Sequence, residues 1–173
     1  MRQVLLGALM VTLPAFAEAP KAPLGATAEL KNAQGEKVGD ATFEETPHGV
    51  LITAELAHLP PGVHAFHIHE TGKCEPPFKS AGGHLNPGGR KHGIKNMAGK
   101  HEGDLPNVTV AADGKATVQV LVGAASLRKE AKNSLFDADG SALVLHEGAD
   151  DHMSDPAGNA GGRIACGVIT QQK

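Results

Sequence analysis

Short alternating segments between turn residues constrain the fold of this chain more than any other feature of its sequence. In KATVQVLV the residues at positions 116, 118, 120 and 122 fall on one face of an extended strand, the period-two pattern of a half-buried β-strand. The chain has 22 glycines and 11 prolines to form turns, and its helical periodicity is weak. About eight short antiparallel strands therefore predict one all-β domain, folded as a β-sandwich or a barrel. The other candidate strands are LGATAELKN, EKVGDATFEE, GVLITAELAHL, HAFHIHE, NVTVAAD, SALVLHE and RIACGVIT.

Two long segments interrupt the strand pattern. They cover residues 71–106 and 147–162, and both are rich in polar residues. Loops of this length inside a compact domain are usually functional or disordered. Their polar side chains favour function, so the chemistry of the protein is expected in these two loops.

The first residues are typical of a secretory signal peptide. Arg2 precedes an apolar run from Val4 to Leu13, and Pro14 and the small residues of AFA follow. We expect cleavage after Ala17, a flexible tether over residues 18–23 and the folded domain over 24–173. No later stretch approaches the roughly 20 apolar residues of a membrane helix, so no membrane anchor is expected.

Charge and cysteine content limit the partners and the compartment. The formal net charge is −3, and it becomes −4 once a leader with one arginine and no acid is removed. This balance gives no basic surface for nucleic acid. Cys74 and Cys166 are the only cysteines. In an exported chain they predict one disulfide, and the alternative is a pair of buried thiols.

Three histidines occur within the seven residues HAFHIHE. On a strand, His67 and His69 point to the same face and offer two imidazoles at the spacing of a metal clamp. His64 is an odd number of residues from both and faces the other way, so we interpret it as a structural hydrogen-bonding residue. The alternative for the pair is a chance repeat, because HxH alone is a weak signal.

The long loop adds a second set of metal-binding residues: His84, His92, His101 and Asp104. Three imidazoles and one carboxylate form a closed tetrahedral set suited to zinc. The alternative is a group of solvated loop histidines, which leaves a long glycine-rich loop with nothing to order it. His146, at the end of LVLH, can supply a further imidazole from another strand.

The motifs together resemble copper/zinc superoxide dismutase in its exported bacterial form. They are HAFHIHE, SAGGHLNP, RKHG, HEGDLPNVT, LVLHEGADD, GNAGGRIACGVI and the two-cysteine arrangement, in order from about Leu24 to Thr170. The resemblance implies an eight-stranded Greek-key barrel with two functional loops, located in the periplasm. It also implies dismutation of superoxide to dioxygen and hydrogen peroxide, which protects the cell envelope. The family is itself a standard example of electrostatic guidance and near-diffusion-limited catalysis.

The resemblance also assigns the site. It implies one copper, cycling between Cu(II) and Cu(I), on His67, His69, His84 and His146. One structural Zn(II) is implied on His84, His92, His101 and Asp104, so His84 bridges the metals and, with Arg163, takes part in catalysis. Asp150 matches the carboxylate that links a copper histidine to a zinc histidine. Cys74 and Cys166 match the family disulfide.

Other residues carry weaker expectations. Lys79, Lys91, Lys95 and Lys100 lie in or beside the first loop and are candidates to guide the anionic substrate, or they serve solubility alone. His48, His58 and His152 have no role in this scheme and are taken as surface residues. The chain has no Trp or Tyr, so aromatic interface contacts cannot be assumed and a homodimer stays open. A metal-binding or copper-delivery module on the same fold is the competing function, and a purely structural β-sandwich is the third.

Overall fold

The computed structural model describes residues 24–172, and the expectations for residues 1–23 lie outside them. The described chain is almost entirely β-structure, with one turn of 3-10 helix at Lys79–Ala81 and no α-helix. None of these residues forms a helix with the length and apolar character needed to cross a membrane. The strands are β1 (Gly25–Asn32), β2 (Lys37–Thr46), β3 (Gly49–Leu56), β4 (Gly62–His64), β5 (Phe66–His69), β6 (Val108–Val110), β7 (Ala116–Val122), β8 (Ala142–His146), β9 (Arg163–Val168) and β10 (Thr170–Gln171).

The ten segments correspond to the eight predicted strands. A single residue, Ala65, separates β4 from β5, and Ile169 alone separates β9 from β10. The main sheet has the order β5-β8-β9-β1-β2-β3-β7, while β10 pairs with β1 and β4 pairs with β6. Neighbouring β6 and β7 are in contact and bring the two sheets together. Because β3 pairs with β7 rather than with β4, the connection is of the Greek-key type, as predicted.

Alternation decides which side chains enter the core. Along β3 the residues Val50, Ile52, Ala54 and Leu56 are buried, at most 3% exposed, and their neighbours are more exposed. Strands β5 and β8 differ, because every residue in them is buried. The outward faces of these two strands must therefore be covered by something other than the sheet.

A third long loop, over residues 123–141, was not among the predicted ones. It is held to the sheet by the carboxylate of Glu45, which accepts hydrogen bonds from the backbone N–H of Leu127 at 2.6 Å and from Arg128 Nε at 3.2 Å. These partners are more than 80 residues apart in the chain. Local sequence patterns carry no trace of such a contact, and this loop lies outside the site described below.

Candidate metal centre

The outer face of β5 carries the two histidines of the HIH motif. Phe66 and Ile68 belong to the main hydrophobic core, so His67 and His69 point away from it. Both imidazoles are nevertheless 0% exposed, because the long loop after β5 lies against them. His146 ends the neighbouring strand β8, and its Nε2 lies 3.4 Å from Nε2 of His69.

The backbone of Ile68 fixes the long loop in place. Its N–H donates to the Gly103 carbonyl at 3.0 Å, and its own carbonyl accepts from the Leu85 N–H at 2.9 Å. Gly103 also donates to the Leu85 carbonyl at 2.9 Å. A Cβ at position 103 would collide with the Ile68 carbonyl, so this close approach requires glycine. The neighbours of these loop residues, His84 and Asp104, are thereby placed beside β5.

One group of four imidazoles converges on a single point, with one nitrogen of each ring within 4.8 Å of the others. Nδ1 of His67 and Nε2 of His84 are buried and have no hydrogen-bond partner among the described residues. Buried polar atoms without partners are rare, and nitrogens placed in this way indicate a binding site for a ligand or an ion. Neutral imidazole nitrogens of this kind suit copper in both oxidation states. The group consists of His67, His69, His84 and His146.

A second group joins three imidazoles to one carboxylate. Oδ1 of Asp104 lies 2.8 Å from His84 Nδ1 and 2.9 Å from His92 Nδ1. The third imidazole, His101 Nδ1, lies 3.3 Å from the same oxygen and 3.4 Å from His84 Nδ1. A tetrahedral zinc site with bonds of about 2.0–2.1 Å has ligand atoms about 3.3 Å apart, so these donors fit zinc. The group consists of His84, His92, His101 and Asp104.

The carboxylate of Asp150 connects the two groups. Its Oδ2 lies 2.8 Å from Nε2 of His67, and its Oδ1 lies 2.9 Å from Nε2 of His92. Asn107 holds the Asp150 backbone on both sides, accepting from its N–H at 2.8 Å and donating to its carbonyl at 2.9 Å. Each linked imidazole is therefore oriented with its other nitrogen toward a metal position.

His152 is not the surface residue that the sequence suggested. Its side chain is only 16% exposed, and its Nε2 lies 3.2 Å from Nδ2 of Asn107. Its backbone N–H donates to Oδ1 of Asp150 at 2.6 Å. The prediction failed because the contact depends on how the late loop folds back over residue 107, which no local pattern reveals.

Burial and hydrogen bonding set the charge of the site. Burial lowers the pKa of His67 to about 4 and the pKa of His146 to about 3, so both rings are neutral at neutral pH. Burial by itself raises the pKa of Asp104, but hydrogen bonds from His84 and from the Gly93 N–H outweigh it and hold this pKa well below its usual range. Neutral imidazoles beside an ionised carboxylate are the protonation states that metal ligands need.

Arg163, the first residue of β9, lines one open cavity together with His84 and His146. Its Nη1 donates to the carbonyl of Phe78 and its Nη2 to the carbonyl of Gly82, both at 2.6 Å. Three residues further along, Cys166 forms the predicted disulfide with Cys74, across a Cα–Cα distance of 5.6 Å. The disulfide ties the long loop to the strand that carries Arg163.

The mouth of this cavity carries further charges. Of the four candidate lysines only Lys91 lines it, and its Nζ is paired with Oδ2 of Asp155 at 2.9 Å. Arg90 also lines the cavity, and within residues 24–172 its guanidinium has one hydrogen bond, to the Gly99 carbonyl at 3.4 Å, and no ion pair. Sequence reasoning missed Arg90, although its place beside Lys91 in RKHG was a usable signal.

The remaining three lysines do not line the cavity. Lys79 begins the 3-10 turn, and both Lys79 and Lys95 are exposed. Lys100 is half-buried, and its Nζ donates to the carbonyls of His101 at 3.2 Å and Asp104 at 3.1 Å. Its ammonium group thus supports the turn between His101 and Asp104, two donors of the second group, instead of facing solvent.

His64 behaves as the sequence predicts. It is 4% exposed, and its ring nitrogens lie 2.9 Å from the carbonyls of His146 and Pro60. It belongs to neither group of converging donors. The fold and the site together define a β-barrel protein with two adjacent groups of possible metal donors that have His84 in common.

Comparisons with known proteins agree with this class. Residues 37–169 match the family model described as copper/zinc superoxide dismutase. The chain is 52% identical to a Cu-Zn superoxide dismutase of Aquifex aeolicus, over 96% of each chain. It is 47% identical to the Cu-Zn superoxide dismutase of Caulobacter vibrioides, over 83% of this chain and 84% of that one. The crystal structure of a SOD-like protein from Bacillus subtilis superposes with a TM-score of 0.81 at 42% identity, covering 84% of this chain and 98% of that one.

The chain belongs to the copper/zinc superoxide dismutase family. The activity of this family is the dismutation of superoxide, and its metals are copper and zinc. The protein is therefore an oxidoreductase of the superoxide dismutase type, and its histidine groups fit both metals.

Proposed function

We propose that each chain holds one copper on the first group of donors and one zinc on the second, with His84 as the bridge. The observation that carries this assignment is the position of its two ring nitrogens. Nδ1 of His84 lies among the zinc donors, and its Nε2 is buried among the copper donors with no hydrogen-bond partner in residues 24–172. A neutral ring keeps one N–H, so an imidazole that ligates through both nitrogens is an imidazolate.

Copper, when bound, would supply the one-electron exchange between Cu(II) and Cu(I) by which one superoxide gives up an electron and becomes dioxygen, and another takes up that electron with two protons and becomes hydrogen peroxide. His84 can hold a proton at Nε2 whenever that nitrogen is free, beside the position of the substrate. Arg163 keeps a fixed positive charge in the same cavity, because two short hydrogen bonds orient its guanidinium. Asp150 orients His67 and His92, and the zinc donors keep the long loop ordered.

The charged side chains that guide the substrate anion are those at the mouth of the cavity in this proposal. Charges outside it are screened over about 8–10 Å at ordinary salt. Lys79 and Lys95 are therefore weak candidates, and Lys100 serves the loop. Asp155 offsets the charge of Lys91, whereas Arg90 has no ion pair within residues 24–172 and is the better candidate to guide the anion at the mouth.

The protein is proposed to act in the periplasm, where it protects the cell envelope from superoxide. Residues 1–17 are a cleavable signal peptide in this proposal, residues 18–23 a tether, and residues 24–173 the dismutase domain. The disulfide between Cys74 and Cys166 supports an oxidising compartment. Mass spectrometry of the protein recovered from the periplasm tests the cleavage after Ala17, and light scattering of the same sample separates a monomer from a homodimer.

Three glutamine substitutions test the bridge. His146→Gln should lower copper content alone, and His101→Gln should lower zinc content alone. His84→Gln should lower both, because His84 is the residue that the two groups share. Metal content is measured by elemental analysis after dialysis against a weak chelator. Full occupancy of both metals in the His84→Gln protein would contradict the proposal, and metal-loaded wild-type protein that does not consume superoxide would favour a metal-binding module.

A further inference from the structure

The peptide unit between Gly82 and Gly83 lies at the centre of a short chain of hydrogen bonds. Its carbonyl oxygen, on Gly82, lies 3.1 Å from Nδ1 of His69 and accepts from Nη2 of Arg163 at 2.6 Å. Its N–H, on Gly83, donates to Oε1 of Glu70 at 2.8 Å. One peptide plane therefore connects a carboxylate on one side with a proposed copper ligand and the cavity arginine on the other.

The fold places Glu70 beside this peptide, although the residue is exposed to solvent. Glu70 directly follows His69, and its backbone N–H donates to the Gly83 carbonyl at 3.0 Å. Gly82 has φ 75°, and a Cβ added there would lie 2.8 Å from Cγ and Oε1 of Glu70. A side chain at position 82 would thus displace the carboxylate. The site has room for the glutamate because position 82 is glycine.

The contact acts through the peptide and not by direct ion pairing. Within residues 24–172 no ion pair of 4.0 Å or less joins Glu70 to Arg163, although both line the same cavity. A hydrogen bond to an ionised carboxylate is stronger than a neutral one, and linked hydrogen bonds polarise one another. The bond from the Gly83 N–H to Glu70 therefore makes the Gly82 carbonyl a better acceptor for His69 and Arg163.

We propose that Glu70 is a positioning residue that fixes the His69 ring and the Arg163 guanidinium through the Gly82–Gly83 peptide. A donor bond from Nδ1 of His69 to the Gly82 carbonyl leaves its Nε2 free to ligate a metal. The bond from Nη2 sets the direction in which Arg163 presents its charge to an anion. The inference rests on the proposed copper site and adds to it a residue that touches neither metal nor substrate.

Two substitutions separate positioning from simple electrostatics. A negative carboxylate at the cavity repels an incoming anion, so through-space electrostatics predicts that Glu70→Gln and Glu70→Ala both bind anions more tightly than wild type. If Glu70 acts by positioning, the two variants should differ from each other, because glutamine keeps an acceptor oxygen for the Gly83 N–H and alanine removes it. Glu75→Ala, an exposed acid of the same loop that does not line the cavity, is the matched control.

The experiment measures azide binding to the copper- and zinc-loaded protein, the Cu(II) EPR spectrum and kcat/KM for superoxide. Glu70→Ala should weaken azide binding and lower kcat/KM about fivefold, the factor that one lost hydrogen bond is typically worth, with a changed EPR spectrum. Glu70→Gln should bind azide at least as tightly as wild type and keep its EPR spectrum. Glu75→Ala should match wild type. Equal azide affinities for the Ala and Gln variants would overturn the proposal.

A fourth measurement does not depend on the metals. In the metal-free protein the Gly83 amide proton should resonate further downfield in wild type than in Glu70→Gln, because its acceptor is charged. An unchanged Gly83 resonance would also overturn the proposal. If the copper site were assigned wrongly, the EPR and azide signals would fail in wild type as well, while the Gly83 result would stand.

Discussion

Replacing Asp104 by alanine is the substitution that separates the two proposed metal sites most clearly. Oδ1 of Asp104 is one of the four zinc donors, and Oδ2 accepts from the backbone N–H of Gly93 at 2.8 Å and of His101 at 3.0 Å. Of the four proposed copper donors, only His84 has a ring nitrogen within hydrogen-bond distance of the Asp104 carboxylate in residues 24–172, and only His84 also belongs to the zinc group. The substitution should therefore remove zinc and loosen the long loop while copper still binds.

The magnitude follows from these contacts. The Asp104 side chain is fully buried, so the two N–H groups it satisfies would lose their partner without gaining water. An orphaned buried donor costs about 1–3 kcal/mol, so the loss of both partners should lower the unfolding free energy of the metal-free protein by about 2–6 kcal/mol. Loss of an orienting partner alone lowers metal affinity about 10- to 100-fold, and loss of a direct ligand should lower zinc affinity by at least the upper value.

Competition with a zinc chelator, followed by elemental analysis, measures this effect. Asp113→Ala is the control, because Asp113 lies in an exposed turn, where its carboxylate accepts from the Lys115 N–H at 3.2 Å and lies 3.9 Å from Nζ of the same lysine. We expect Asp104→Ala to retain one copper per chain, with an altered Cu(II) spectrum and weaker activity. Zinc at full occupancy after chelator treatment would refute the ligand assignment.

Two further substitutions test the mouth of the cavity and the third loop. Asp155→Asn should raise kcat/KM and steepen its decrease with salt, because the amide oxygen still accepts from the His92 N–H while Lys91 loses its ion-pair partner. Arg90→Gln should lower kcat/KM. Lys95→Gln should leave kcat/KM unchanged, because Lys95 does not line the cavity. Pulse radiolysis at several ionic strengths measures these rates, and identical rates for Arg90→Gln and Lys95→Gln would contradict the assignment. Glu45→Ala should lower the unfolding free energy by about 1–3 kcal/mol in urea titrations, because it orphans the buried N–H of Leu127, while the adjacent Glu44→Ala should change it little. A loss below about 0.5 kcal/mol for Glu45→Ala would show that the loop is held by other contacts.

The strands were predictable because alternation is a local property. In segments such as GVLITAEL the alternation of residue types predicts which side chains face the core, and the structure places Val50, Ile52 and Ala54 inward. The histidine pair on β5 was readable for the same reason, since residues two apart share a face. The proposed metal ligands in the long loop were assigned from the resemblance to a family, because the spacing of His84, His92 and His101 by itself left solvated histidines as an alternative.

The supporting contacts could not be predicted, because they join distant segments. Asn107 holds Asp150 across 43 residues, and Arg163 reaches the Gly82 carbonyl across 81. The surroundings of the candidate guiding charges could not be predicted for another reason. Composition shows that Lys91 and Lys100 carry positive charge, but only the fold shows that Asp155 pairs with one and that carbonyls receive the other.

We propose that this chain is a two-metal enzyme whose turnover requires copper. The decisive experiment is elemental analysis of the purified mature protein, together with superoxide consumption before and after copper loading. We predict one copper and one zinc per chain, with fast superoxide consumption that appears only when copper is bound. Zinc alone, with no superoxide consumption after copper is supplied, would contradict the claim.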